Sequence, residues 1–183
     1  MTTDQTKSVL LKVLVLLMLC QVNIQSSGVT KLDLSFWGVT KLTEGMFIDH
    51  PNLKILILNF NEITEIENGA FSGLQSLEEL YWGFNYIKVL PNDIFSNLSS
   101  IRVLDLKGNG LVVLTIGIFN DLKSLTNLQL GSNHLSSLPD GIFSKLTSLV
   151  DLELQFNDLN HLQVDIFRNL TSLTKLELGH NIT

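Results

Sequence analysis

The sequence predicts an α/β repeat solenoid, in which short parallel strands form one side and irregular return segments with a phenylalanine spine form the other. Three residue types predict this fold class, because each recurs at a constant step of 24 residues. Leucine marks the strands, asparagine follows each strand, and phenylalanine marks the return segments. A chain of 183 residues ordinarily forms one compact domain. This periodicity instead predicts about 6.5 repeats of 24 residues over residues 28–183.

The leucines predict the strands. Around each of them apolar residues alternate with polar ones, as at Leu128 and Leu130, which is typical of a short strand with one buried face. Because each strand is followed by a return segment, neighbouring strands must pair in parallel. One coil cannot bury its apolar side chains alone, but a stack of coils can. The leucines at this phase are Leu32, Leu56, Leu80, Leu104, Leu128, Leu152 and Leu176.

The asparagines and phenylalanines predict two ladders that run through the coils. An asparagine side chain both donates and accepts, so we expect it to satisfy backbone groups where the chain turns away from the strand. The simpler interpretation is that each asparagine is an ordinary turn-forming residue. We expect the phenylalanines to pack as an apolar spine opposite the strands. The two sets are Asn61, Asn85, Asn109, Asn133, Asn157 and Asn181, and Phe47, Phe71, Phe95, Phe119, Phe143 and Phe167.

Written as one unit, the repeat is LxxLxLxxNxLxxLPxxxFxxLxxL, as over residues 125–149. This pattern resembles the 24-residue extracellular class of leucine-rich repeats, found in the ectodomains of Toll-like receptors, variable lymphocyte receptors, Slit-like guidance proteins and matrix proteoglycans. The resemblance covers about residues 29–183. It implies a curved horseshoe with a parallel sheet on its concave side, and protein recognition as its usual work.

The cysteine-rich caps of secreted family members have no counterpart in this pattern, because Cys20 is the single cysteine. A solenoid without caps exposes apolar residues at its ends. We therefore expect either a truncated reading frame, part of a larger receptor with a missing C-terminal cap, or an end covered in an end-to-end dimer.

Residues 1–27 predict a secretory signal peptide. Lys7 and Lys12 precede an apolar run over residues 13–20, which is too short to span a bilayer, and small polar residues follow it. A signal anchor or a buried N-terminal helix is the alternative. Loss of the leader removes Cys20, which leaves no disulfide and no thiolate zinc site. We expect a secreted chain or a cell-surface ectodomain, with no stable membrane insertion in the rest of the chain.

Composition and motifs exclude several classes of function. The net charge of −6 disfavours a nucleic-acid binder, which needs a basic face. The mean hydropathy of +0.28 is explained by the leader and the repeated core residues. We find no catalytic motif, and the four histidines fall at different phases of the repeat. We therefore expect no enzymatic activity and no cofactor. Glu153 and Glu177 lie on adjacent strands, but Lys175 offsets their charge, so we expect no metal site.

The outward strand positions predict a surface that binds a protein ligand. Their side chains form columns about 4.8 Å apart, aromatic and apolar toward the N-terminus and acidic toward the C-terminus. Apolar anchors beside steering charges are typical of protein-binding surfaces. These positions also vary while the structural positions repeat. The phenylalanines among them have a second interpretation as local packing. The expected contacts are Ile57, Phe60, Tyr81, Phe84, Tyr86, Asp105, Gln129, Asp151, Glu153, Asp158 and Glu177.

Sequons begin at Asn97, Asn169 and Asn181. The first two share a phase on the return segments, so glycans there would coat the convex side, whereas Asn181 belongs to the asparagine ladder and is a poorer acceptor. Together these features predict a non-enzymatic recognition module, immune or receptor-like. A structural protein of the extracellular matrix is the alternative.

Overall fold

A computed structural model describes residues 28–182, so the predicted signal peptide lies outside the described residues. The described chain is a solenoid whose strands are all short. The nine strands are β1 (Lys31–Asp33), β2 (Lys41–Leu42), β3 (Ile55–Ile57), β4 (Glu65–Ile66), β5 (Glu79–Tyr81), β6 (Val103–Asp105), β7 (Asn127–Gln129), β8 (Asp151–Glu153) and β9 (Lys175–Glu177).

Seven of these strands form one parallel sheet in the order β1-β3-β5-β6-β7-β8-β9. Each residue pairs with the residue 24 positions later, so Leu104 lies opposite Leu80 on one side and Leu128 on the other. The predicted direction, phase and register of the strands are therefore confirmed. The return segments of the described part consist of turns, with β2 and β4 as their only strands and no α-helix.

The asparagine ladder connects each coil to the coil before it. Asn133 Nδ2 donates to the carbonyl of Leu130 in its own coil at 2.9 Å and to that of Leu106 in the preceding coil at 3.0 Å. Its Oδ1 accepts from the N–H of Leu111 at 3.1 Å. The same set of bonds recurs at the other five ladder asparagines, which confirms the prediction.

The phenylalanine spine forms on the side opposite the sheet, with one interruption. Ring centroids lie 6.1–6.4 Å apart in the stacked pairs from Phe47 to Phe71 and from Phe95 to Phe167. Trp82 replaces a core leucine and contacts Phe71 edge-on, with centroids 5.1 Å apart. The indole is fully buried and its Nε1 has no hydrogen-bond partner. The larger side chain is thus accommodated where the spine is interrupted.

A second, smaller sheet lies on the return segments and was not predicted. It pairs β2 with β4 in parallel. Just past β4, the N–H of Glu67 donates to the carbonyl of Leu42 at 2.9 Å. The equivalent position in the next coil is Pro91, which has no N–H to donate. The repeat therefore cannot extend this sheet by the same bond beyond β4.

The core is continuous along the solenoid, as expected for stacked coils that bury one another's apolar faces. Its leucines and phenylalanines are almost wholly enclosed in the middle coils. Toward the ends, Leu32, Phe167, Leu173 and Leu178 are half-buried and Leu176 is 38% exposed. Within residues 28–182 no helix is long and apolar enough to cross a membrane.

Candidate functional site

The candidate site is the outward side of the seven-stranded sheet, which we call the sheet face. It comprises the outward residues of each strand, the column three positions farther on, and the position after each ladder asparagine. Because the strands are in register, these positions form straight columns across the coils. The structure therefore brings all eleven predicted contact residues onto one continuous face.

An aromatic column forms the N-terminal part of this face. The rings of Phe36, Phe60 and Phe84 are parallel within 3°, with centroids 4.7 and 4.6 Å apart. Phe60 and Phe84 remain 44% and 42% exposed despite the stacking. The interpretation as local packing is confirmed, since each ring stacks on its neighbour, and contact with a ligand stays a prediction for rings that remain this exposed. Phe36 is the most exposed ring of the column.

Backbone geometry explains why this column stands out from the sheet. All seven residues at this phase have φ between 54° and 65°, in the left-handed region. That conformation costs a non-glycine residue about 1–2 kcal/mol, and the hydrogen bonds of the adjacent ladder asparagine offset it. The residues are Phe36, Phe60, Phe84, Gly108, Ser132, Phe156 and His180.

Three further contact candidates lie beside the column. Ile57 and Tyr81 are half-buried neighbours on β3 and β5. The Tyr81 hydroxyl donates to Glu79 Oε2 at 2.9 Å, and burial, followed by this bond, raises the pKa of the Tyr81 phenol. Tyr86 is exposed. The apolar and aromatic part of the face is thus accessible and partly held in place by local contacts.

Asp105 differs from the surface position that its column predicts, because its side chain is only 7% exposed. Its Oδ1 accepts from the N–H of Lys107 at 2.9 Å, and the Asn59 side chain also hydrogen-bonds it. A Cβ on Gly83 would lie 3.1 Å from Asp105 Oδ2, so glycine leaves the space that the carboxylate fills. Burial raises the pKa of Asp105, and these two hydrogen bonds only partly oppose it.

The acidic part of the face surrounds one lysine. Lys175 Nζ lies 3.1 Å from Asp151 Oδ2, 3.0 Å from Glu153 Oε1 and 3.0 Å from Glu177 Oε1. Hydrogen bonds to Glu153, Glu177 and Asp151, in that order, raise the pKa of Lys175. The sequence predicts only that Lys175 offsets part of the charge of Glu153 and Glu177. In the structure Lys175 lies at the centre of the three carboxylates. Its ammonium occupies the space between the carboxylates.

Of the two remaining predicted contacts, Gln129 lies between these two parts and Asp158 lies in the coil of β8. Gln129 is half-buried on β7. Asp158 is exposed, and its Oδ2 lies 3.4 Å from His134 Nδ1. Burial alone would raise the pKa of Glu153, but hydrogen bonds from Lys175 and Gln155 outweigh it and lower that pKa. Among residues 28–182 no group of histidine, cysteine and acidic side chains is arranged to hold a metal ion.

The sequon asparagines lie in two different environments. Asn97 and Asn169 are exposed on the return segments, away from the sheet face. Asn169 Nδ2 makes one long bond, 3.3 Å, to the carbonyl of Ser144. Asn181 Nδ2 instead donates to two carbonyls, those of Leu178 at 2.7 Å and Leu154 at 3.0 Å.

A groove of about 740 Å³ lies on the return side of the second and third coils, which sequence reasoning missed. It borders β4, the last strand of the small sheet. Pro91, which prevents the next coil from extending that sheet, is the one feature of the sequence that could have indicated the groove. Its lining residues are Thr64, Ile66, Asn68, Val89, Leu90, Pro91, Asn92 and Asp93.

Comparison with known proteins agrees with this geometry. The family described as "Leucine rich repeat" matches residues 27–87, 76–135 and 123–182. The chain belongs to the leucine-rich repeat family. No curated protein matches the sequence itself. Leucine-rich repeat solenoids typically serve as recognition modules with an extended concave binding surface.

Solved structures of other leucine-rich repeat proteins superpose on most of the chain. The crystal structure of the APL1 leucine-rich repeat domain matches with a TM-score of 0.73 and 33% identity, covering 78% of this chain and 37% of that one. The TLR13–ssRNA13 complex matches with a TM-score of 0.76 and 32% identity, covering 83% and 22%. An internalin from Listeria monocytogenes matches with a TM-score of 0.67 and 26% identity, covering 82% and 42%.

These matches show a leucine-rich repeat protein that resembles Toll-like receptors. A complex of LRIM1 with APL1C also matches, with a TM-score of 0.72 and 33% identity over 77% of this chain. The chain spans less than half of the length of each of these four neighbours, between 22% and 42%.

Proposed function

We propose that this chain is a non-enzymatic recognition module that binds a protein ligand through its sheet face. The observation that carries the proposal is the joint presence, on one rigid in-register sheet, of an exposed aromatic column and an acidic cluster. Aromatic side chains supply binding energy at low entropic cost, while charges steer the encounter and select the partner. The core positions behind this face repeat, but the face itself does not.

The exposure of the aromatic residues supports the same proposal. Tyr86 is 64% exposed beside Phe84, although a solvated position next to a ladder asparagine needs no aromatic side chain. Rings exposed in this way lose water on contact with a partner, and large exposed apolar patches on soluble proteins usually mark an interaction site. Ile57, Phe60 and Tyr81 extend this patch across neighbouring coils.

We further propose that the chain works outside the cell, as a secreted protein or as part of a receptor ectodomain with an immune or receptor-like role. The leader-like residues 1–27 and the likeness to TLR13, LRIM1 and APL1 support this proposal. Exposed sequon asparagines at Asn97 and Asn169 are compatible with passage through the secretory pathway.

A protein ligand is favoured over a nucleic acid by charge. The TLR13 structure is a complex with a single-stranded RNA. On this chain, however, the acidic side chains of the sheet face outnumber its lysines, and Lys175 is already held by three carboxylates. A phosphate backbone requires accessible basic groups.

The test is binding of the secreted full-length chain to purified extracellular proteins, with collagen, heparin and single-stranded RNA in parallel. The double variant Tyr81→Ala, Glu153→Ala removes one anchor and one acidic residue of the sheet face. The control Ile116→Ala, Asp140→Ala removes an exposed apolar and an exposed acidic residue from the return segments. We expect a protein ligand whose binding falls by about tenfold or more in the first variant and not in the control. Binding to collagen or heparin alone would favour the matrix alternative, and equal binding by both variants would refute the proposed site.

A further inference from the structure

We propose that a notch in the aromatic column, at Gly108 and Ser132, is the subsite of the sheet face that takes an arginine side chain of the protein partner. The inference rests on the proposed function, since it names the chemistry that the sheet face recognises.

The notch arises because two consecutive coils lack a ring. Phe84 and Phe156 carry rings at the same phase, three coil steps apart, and Gly108 and Ser132 lie between them. At about 4.8 Å per step, the backbone positions of Phe84 and Phe156 are about 14 Å apart. The Phe84 ring takes up the side-chain space at Gly108, which leaves room for one planar group at Ser132. Gly110 follows the ladder asparagine of the same coil and also lacks a side chain.

Each wall of the notch offers one free aromatic face. Phe84 stacks on Phe60 with centroids 4.6 Å apart, so its other face is turned toward Gly108. A Cβ on Gly108 would lie 2.7 Å from the Phe84 ring, so this ring lies over Gly108 and forms one wall of the notch. On the opposite wall Phe156 stacks on His180 at 4.4 Å, and its other face is turned toward Ser132. Phe156 is 53% exposed.

The charge around the notch favours a cation. Asp158 follows Phe156 by two residues in the same coil, and its side chain is 51% exposed. Asp105 and Glu153 lie on the strands at the same level of the solenoid, but Asp105 is buried and Glu153 pairs with Lys175 at 3.0 Å. Lys107 is the basic residue next to Gly108, and it is attracted to both of these carboxylates. The three carboxylates outnumber Lys107 and Lys175, and Asp158 is the exposed carboxylate among them.

An arginine satisfies these two features together. Its guanidinium is planar, stacks on aromatic faces and still presents N–H groups at its edge to a carboxylate. Stacked on Phe156, it can pair with Asp158. A lysine ammonium carries the same charge but is compact and strongly hydrated, so it cannot use a parallel ring face as well.

The probe is the peptide acetyl-Gly-Arg-Gly-amide, compared with acetyl-Gly-Lys-Gly-amide of equal charge. Both are titrated into the ¹⁵N-labelled full-length chain, and the amide signals of Gly108, Gly110 and Ser132 are followed. We expect the arginine peptide to shift these signals with a dissociation constant at least about threefold lower than that of the lysine peptide. Equal binding of the two peptides, or no shift of these signals by the arginine peptide, would overturn the inference.

Two matched variants locate the effect. Ser132→Phe fills the notch with a ring that the same phase already carries in four other coils, and it should abolish the preference for arginine. His180→Phe adds the same ring to the same column outside the notch, and it should leave binding unchanged. Asp158→Asn keeps the shape of the notch and should lower affinity for the arginine peptide. Retained arginine binding in both Ser132→Phe and Asp158→Asn would contradict the assignment.

The outcome can be separated from that of the proposed function. Loss of ligand binding in the Tyr81→Ala, Glu153→Ala variant, together with no arginine preference at the notch, would refute the notch alone. An arginine preference at the notch, with a protein ligand that ignores the sheet-face variants, would refute the proposed function alone.

Discussion

At the scale of the residue, the ladder asparagines turn a repeated sequence into a stable stack. Each one satisfies backbone groups in two coils, and all of them except the half-buried Asn181 lie at a depth where water cannot replace them. The sequence predicts this role because only a side chain with both a donor and an acceptor can make these bonds.

Replacing Asn133 with alanine removes these bonds at one site. The Leu111 N–H then loses its acceptor, whereas the carbonyls of Leu106 and Leu130 each keep one ladder donor, from Asn109 and Asn157. An unsatisfied buried group costs about 1–3 kcal/mol. We expect Asn133→Ala to lower the free energy of unfolding by about 2 kcal/mol in urea denaturation. Asn160→Ala, at an exposed asparagine, should change it by less than about 0.5 kcal/mol. A loss in Asn133→Ala no larger than in this control would show that the ladder is not stabilising.

Asp105 shows what sequence reasoning could not resolve at this scale. Its column predicts an outward carboxylate, and β6 does place it there, but its burial depends on the space above Gly83 in the preceding coil. The signal was in the sequence, because glycine replaces a larger residue at the phase of Asn59 and Lys107. The effect of Gly83 on Asp105 can be recognised only when the structure shows which residues of adjacent coils lie side by side.

The raised pKa of Asp105 has a testable consequence. Because the folded-state pKa lies above the unfolded value, the ionised carboxylate destabilises the fold at neutral pH, and this cost disappears as the pH falls below the unfolded pKa. We expect Asp105→Asn to be more stable than the wild type at pH 7, with the difference shrinking toward pH 4 in thermal unfolding. Asp140→Asn, at an exposed position, serves as the control. A variant that is less stable than the wild type at pH 7 would contradict this assignment.

At the scale of the element, the strands were predictable and the return segments were only partly so. A period without insertions determines which residues pair, so the register of all seven sheet strands follows from the sequence. The small sheet of β2 and β4 was missed because two-residue strands leave no periodic signal of their own. The interruption of the spine at Trp82 depends on where one indole finds space, which is a packing property.

The return segments carry a prediction about glycosylation. Oligosaccharide transfer requires an accessible asparagine whose Nδ2 is not held by several hydrogen bonds, and Asn169 Nδ2 makes only one long bond, of 3.3 Å. We expect mass spectrometry of the chain secreted from mammalian cells to find glycans on Asn97 and Asn169, which are exposed. Asn181 should remain unmodified, because its Nδ2 donates to two carbonyls. A glycan on Asn181 with none on Asn97 would contradict this assignment of the three sequons.

At the scale of the whole molecule, the apolar excess of the sequence becomes one continuous core that serves as a rigid support. The support is predictable because it repeats. The face that it displays is predictable as a set of columns, but the character of each site depends on side chains that meet across coils. The acidic cluster around Lys175 and the notch at Gly108 and Ser132 are examples of such sites.

The central claim is that the sheet face is the binding surface. Its most direct test is hydrogen–deuterium exchange and hydroxyl-radical footprinting of the chain, free and bound to the protein ligand found in the binding assay. The account predicts protection at Tyr81, Phe84 and Tyr86 and around β8 and β9, with the return segments that carry Asn97 and Asn169 unchanged. Protection confined to those return segments, with the sheet face as accessible as in the free chain, would contradict it.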